Sequence, residues 1–139
     1  IIAKKVLLEL EQANDDKPMV VSLEQQLLTE EHQILQLIAR QLPLFDLHAM
    51  RLQEKLFKII KASSKDKSPQ AAIAAANAAT ILNTAKVPFS GRDLRGINIS
   101  GANLAYGILD RVNLEASDLS KVNFERAWLQ QANLKQELL

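Results

Sequence analysis

The chain has 139 residues, carries 17 Lys and Arg against 16 Asp and Glu for a net charge of +1, and contains no Cys. Near-neutrality gives no strong pull towards nucleic acid or a lipid surface. Absence of Cys excludes a disulfide framework and thiolate metal sites and fits a reducing, cytoplasmic setting. No apolar run approaches the roughly 20 residues that span a bilayer and no signal peptide is visible, so one modest domain or two coupled halves is expected.

Residues 1–86 lack Gly and read as helices. Ile1 to Ala13 has apolar residues at helical spacing and ends in the polar stretch Asn14-Asp15-Asp16-Lys17-Pro18. Ser22 with Gln25 has the form of a capping box in a short helix that ends near Leu28. Thr29, followed by Glu30 and Glu31, suits a helix start, with Ile34, Ile38 and Leu42 on one face until Pro43. The next helix is expected over 44–62, with Phe45, Ala49, Leu52, Leu56 and Ile59 as its buried stripe. After the polar link 63–68, Ser68 as cap and Pro69 at the first helical position open an Ala-rich helix that leads into Val87. Its small face is expected to close the open first end of the repeats after it. The organisation therefore reads as a helical region over 1–67, a capping helix over 68–86 and a repeat region over 87–139.

From Phe89 an apolar residue recurs at every fifth position: Phe89, Leu94, Ile99, Leu104, Leu109, Leu114, Leu119, Phe124, Leu129 and Leu134, with Leu139 continuing the series. Neither a helix nor a flat strand has a period of five, and a fixed short period marks a solenoid. Two positions before each centre the side chain is mostly small or β-branched, as at Val87, Ala102, Gly107, Val112, Ser117, Val122, Ala127 and Ala132; both sets are expected to point inward. The position before the centre is Asp93, Asn98, Asn103, Asn113, Asp118, Asn123 or Asn133, residues suited to turns. Pro88, Ile108 and Trp128 break that rule at intervals of twenty, which predicts that four units complete one lap and that residues twenty apart stack. Arg95, Glu115 and Lys135 would then alternate in sign up one face, Tyr106 would lie beside Arg126 as a cation–π pair, and Asn103 with Asn123, and Asn113 with Asn133, would form side-chain ladders.

The segments Ala102-Asn103-Leu104, Val112-Asn113-Leu114, Val122-Asn123-Phe124 and Ala132-Asn133-Leu134 resemble the A-[D/N]-L-x-x motif of pentapeptide-repeat proteins. The resemblance covers roughly 87–139 and implies an α+β chain: an N-terminal α-helical region, then a short right-handed quadrilateral β-helix capped by the Ala-rich helix. Arg92, where a small inward residue is expected, and the Gly107-Ile108 unit depart from the motif; Arg92 is expected in a first lap whose interior is still open. The join 74–82, followed by Val87-Pro88-Phe89-Ser90-Gly91-Arg92-Asp93-Leu94, is similar to a junction in NACHT-type signalling NTPases, where repeats follow a nucleotide-binding engine and act as sensor. The start at Ile1 and the end at Leu138-Leu139 read as those of a piece of a longer protein, or as a terminal lap that another molecule or a second copy covers.

Candidate chemistry is sparse. His32 and His48 lie alone on separate helices without ligand partners at metal or general-base spacing, so both read as surface positions. Lys55, Lys58, Lys61, Lys65 and Lys67 read as cations at the negative end of a helix, with an anionic partner as the alternative. Gly91, Gly96 and Gly101 belong to corners rather than to a phosphate cradle. No cofactor, metal, nucleic acid or membrane is implied, and no catalytic constellation is present.

The outer stripe Pro88, Ile108 and Trp128 is the candidate interaction surface; the favoured alternative is that it packs on the chain's own helices. The reading of function is a non-enzymatic scaffold or protein-interaction module. The alternative is a DNA-mimicking pentapeptide protein that binds a type II topoisomerase, which the near-neutral repeat surface, six basic and five acidic residues over 87–136, argues against.

Overall fold

The computed structural model describes residues 2–14 and 20–135. Four α-helices form among them: α1 (Ile2–Gln12), α2 (His32–Ala39), α3 (Leu47–Ala62) and α4 (Pro69–Thr84), with one 3-10 helix at Val21–Leu23. The polar stretch after Asn14, the Leu138-Leu139 end and the expected second-copy contact there lie outside the described residues.

The helices differ from expectation where a local bond intervenes. Ser22 does not form a capping box: its backbone N–H and its hydroxyl both donate to the Glu9 carboxylate, each at 2.8 Å, and tie the 3-10 turn to α1. Thr29 and Glu30 form a turn instead of a helix start, and α2 begins at His32 with no side-chain cap from Glu31. Before α3, the Asp46 carboxylate accepts from the His48 N–H at 3.1 Å and fixes the helix start at Leu47. Phe45 therefore falls before the cap, outside the helical stripe, and is 95% exposed; Ala49, Leu52, Leu56 and Ile59 are buried as expected, together with Phe57 and Ile60.

Ser68 caps α4 by accepting from the Ala71 N–H at 3.2 Å, with Pro69 at the first position. Residues 74–82 are then buried without a break, because α4 has α2, α3 and the 3-10 segment on one side and the first repeats on the other. Alanine permits that close approach on every face. The single Asn in this stretch, Asn77, is fully buried and fully used: its Oδ1 accepts from Leu28 N–H at 2.7 Å, and its Nδ2 donates to the Leu23 and Gln26 carbonyls at 2.9 and 2.8 Å.

Beyond α4 the chain winds so that residues twenty apart lie side by side. Single-residue parallel bridges join Asp93 to Asn113, Asn98 to Asp118, Asn103 to Asn123, Ile108 to Trp128 and Asn113 to Asn133. In a typical bridge, Asn113 N–H donates to the Arg92 carbonyl at 2.8 Å and Leu94 N–H to the Asn113 carbonyl at 2.7 Å. The expected α+β class with a quadrilateral β-helix is thus corrected. Regular secondary structure among the described residues is helical, and no strand or sheet forms. A turn with a left-handed residue at every fifth position leaves one residue per unit able to pair, so two consecutive ladder pairs never occur.

Side chains from Phe89 to Leu119 at the five-residue centres are buried, and Phe124, Leu129 and Leu134 are half-buried. All join the helices in a single apolar core. Arg92 does not face an open interior. Its guanidinium lies 3.4 Å from the Phe57 ring centroid and forms a two-pronged pair with Glu54. Phe57 in turn meets Phe89 edge to face at 5.3 Å, so α3 supplies the side chain that fills the first lap.

Candidate functional site

Each five-residue unit sets its own geometry. All seven Asn and Asp residues before the centres accept from the backbone N–H two residues on, at 2.9–3.4 Å. Their side chains close the turn on their own unit, so the expected amide ladders do not form along the stack. Arg95 likewise pairs with Asp93 of its own unit, Nε to Oδ1 and Nη2 to Oδ2 at 2.8 Å each. That contact first of all lowers the Asp93 pKa and raises that of Arg95, with Glu115 a weaker neighbour of the guanidinium. Among the described residues the cation–π contact that forms is Arg92 on Phe57, and Tyr106 makes none with Arg126.

Pro88, Ile108 and Trp128 cannot close a turn this way, and in the Trp128 unit the chain compensates from the neighbouring lap. Asp110 Oδ1 accepts from Gln130 N–H at 3.0 Å, the donor that an Asn at 128 would otherwise hold. Ile108 and Trp128 are bridged, with Trp128 N–H to the Gly107 carbonyl and Leu109 N–H to the Trp128 carbonyl, both at 2.8 Å; Phe89 N–H donates to the Ile108 carbonyl at the same distance. The three apolar residues thus stand in one column on adjacent laps.

Among the described residues this column stays largely uncovered. Pro88 is exposed, Ile108 is half-buried and Trp128 is 64% exposed. The corner positions beside it are Lys86, Tyr106 and Arg126, all at positive φ and all exposed, with Tyr106 at 63%. The face is an apolar column with an aromatic and cationic margin. Gly107 behind it is enforced by packing: a Cβ there would meet Asn83 Oδ1, the Leu104 carbonyl and Leu109 Cδ1, each at 2.9 Å.

A second group, which completes the end of the coil, leaves no mark in the repeat pattern. In later laps Asp118 N–H donates to the Ile97 carbonyl and Asn123 N–H to the Ala102 carbonyl. Their first-lap equivalents, Asn98 and Asn103, donate instead to Ser63 Oγ and Thr80 Oγ1, both at 3.0 Å. Asn83 Nδ2 donates to the Asn103 and Ala105 carbonyls at 3.2 and 3.0 Å, where a preceding lap would supply backbone N–H groups. The sequence signal is slight: three hydrogen-bonding side chains at or near the C-terminal ends of α3 and α4.

The histidines do not converge. His48 Nε2 lies 2.9 Å from Glu11 Oε1, and His32 Nε2 lies 3.8 Å from Glu30 Oε2. No group of three His, Cys, Asp or Glu side chains able to hold a metal occurs among the described residues. Lys55 Nζ donates to the Leu10 and Glu11 carbonyls at 3.1 and 2.8 Å, closing the end of α1 rather than of its own helix. Among the described residues no helix is long and apolar enough to cross a membrane.

No curated protein and no solved structure matches the chain. Residues 97–136 match the family model of pentapeptide repeats in eight copies, and such repeats generally serve as protein-interaction modules.

Proposed function

We propose that this chain is a non-enzymatic protein-binding module whose contact face is the column Pro88, Ile108 and Trp128 with Tyr106 beside it. The observation that carries this reading is the exposure of Trp128 and Tyr106 on a rigidly bonded scaffold, at 64% and 63%. Exposed aromatic anchors on a preorganised surface lose little entropy on binding, and Trp and Tyr are frequent hot spots. The partner is a protein. The non-catalytic character is supported by the two histidines, which lie on separate helices and each meet a single Glu.

We place the module in the C-terminal sensor or assembly part of a larger NACHT-like signalling NTPase, on the strength of the join from the Ala-rich helix into Val87. A P-loop in the reading frame upstream of Ile1 supports that placement, and a start codon a few residues upstream removes it. The contact face is tested separately. A photocrosslinking amino acid at position 128 of the native protein should give a discrete protein adduct that disappears with Ile108→Asp. Equal labelling with and without that substitution, or labelling only of bulk protein, overturns it.

A further inference from the structure

The face that carries Pro88, Ile108 and Trp128 is narrow and flat, and these properties discriminate between partner shapes. Its backbone hydrogen bonds run from lap to lap, as from Trp128 N–H to the Gly107 carbonyl and from Leu109 N–H to the Trp128 carbonyl. The face therefore presents side chains rather than main chain, and a partner strand laid on it has no ladder to join. The recess bordered by Tyr106, Gly107 and Ile108 has a volume of 30 Å3, about the room of one water. That is no groove for a helix.

The apolar surface is also only one residue wide. Lys86, Glu125 and Arg126 stand at the corners on one side, Asp110 and Arg111 on the other. A docked helix brings an apolar stripe about 100° wide or more, and its flanks would lie over these charges. Cations and carboxylates nearly balance along the two margins, so charge selects neither an acidic nor a basic partner.

A polyproline II segment fits these conditions. It is slender, exposes backbone carbonyls that nothing internal satisfies, and returns a side chain to the same face every three residues, about 9.3 Å apart. Pro88 and Trp128 are two laps apart, about 9.6 Å at sheet spacing. Trp128 and Tyr106 offer rings for proline to pack on. The indole N–H and the phenol O–H meet no acceptor among the described residues, so both are available to such carbonyls.

We propose, resting on the reading of this column as the contact face, that its partner is a proline-rich protein segment in the polyproline II conformation. Prolines three residues apart pack on Trp128 and Pro88, and Trp128 Nε1 and the Tyr106 hydroxyl donate to carbonyls between them.

The test pans a phage library of random peptides of about twelve residues, or about four polyproline turns, on the full 139-residue chain. Clones that also bind the Trp128→Ala variant are discarded. Enrichment of prolines three residues apart is expected. The leading peptide, labelled with fluorescein, should bind saturably by anisotropy; unlabelled, it should shift the emission of the single Trp. Trp128→Ala should weaken binding about tenfold or more. Trp128→Phe, which keeps a ring and loses the donor, should weaken it several-fold. Tyr106→Gly should do the same, with glycine suited to the positive φ at that corner. Both side chains are exposed, so circular dichroism of each variant should match the parent. Enriched peptides with i, i+3, i+4 apolar periodicity, peptides without the proline spacing, or no enrichment overturn the proposal. If crosslinking at position 128 still gives its discrete Ile108-dependent adduct, the contact face stands and the partner's conformation is wrong. Loss of both results removes the face as well.

Discussion

Two residues after each apolar centre from Phe89 to Leu129 the backbone turns left-handed: Gly91, Gly96 and Gly101 first, then Tyr106, Arg111, Ala116, Lys121, Arg126 and Gln131. Glycine accepts this conformation freely, whereas an L side chain there costs about 1 kcal/mol or more. Tyr106, Arg111 and Ala116 bear that cost with their N–H groups locked to the next lap, as Ala116 N–H is to the Lys135 carbonyl at 2.9 Å. Ala116→Gly is expected to raise the unfolding free energy by about 0.5–1 kcal/mol, read from urea midpoints at unchanged m-value. Asp118 offers a pH test at the same scale. Its carboxylate accepts from the Ser120 hydroxyl and N–H, which hold its pKa below the ordinary Asp value. A folded pKa below the unfolded one means stabilisation present above about pH 4 and lost as pH falls through the lowered value. Asp93 beside Arg95 and Asp66 beside Ser68 act in the same direction. Asp118→Asn keeps the acceptor oxygen, so it should leave stability at neutral pH within about 0.5 kcal/mol and flatten the acid limb of the denaturation profile.

At the scale of elements, the helices complete the coil by hydrogen-bond mimicry. Ser63 donates its hydroxyl proton to the Ile60 carbonyl at 2.6 Å and Thr80 donates its own to the Ala76 carbonyl at 2.9 Å. With the protons committed to their own helices, the remaining lone pairs face Asn98 and Asn103 as carbonyl oxygens of a preceding lap would. Asn83 plays the reciprocal part as donor. Thr80→Val preserves shape and removes the acceptor, leaving the Asn103 N–H without its partner. The expected cost is about 1–3 kcal/mol, with hydrogen exchange at Asn103 accelerated more than at Asn123.

For the whole molecule, the question is whether helices and repeats unfold together. Phe57 of α3 lies between the Phe89 ring and the Arg92 guanidinium, and buried side chains from both halves form one cluster. The single Trp, Trp128, reports the repeats, while circular dichroism reports the four helices. Phe57→Ala should cost about 3–5 kcal/mol and shift both signals to the same new midpoint. Separated midpoints would show two independently stable halves.

The repeat region was legible in the sequence because its period acts residue by residue. An apolar centre every five positions fixes what is buried, Asn and Asp before it fix the turns, and the twenty-residue recurrence of Pro88, Ile108 and Trp128 predicts the pairing found between Ile108 and Trp128. Helix caps at Ser68 and Pro69 were legible for the same local reason. Three things were settled only in three dimensions. Turns recurring every five residues reduced the expected sheet to isolated bridges, Asp46 placed Phe45 outside its helix, and α3 rather than an open interior received Arg92. Hydrogen bonds from Ser63, Thr80 and Asn83 to residues 20–35 positions away leave no periodic trace, because long-range partners are set by how elements pack and not by spacing along the chain.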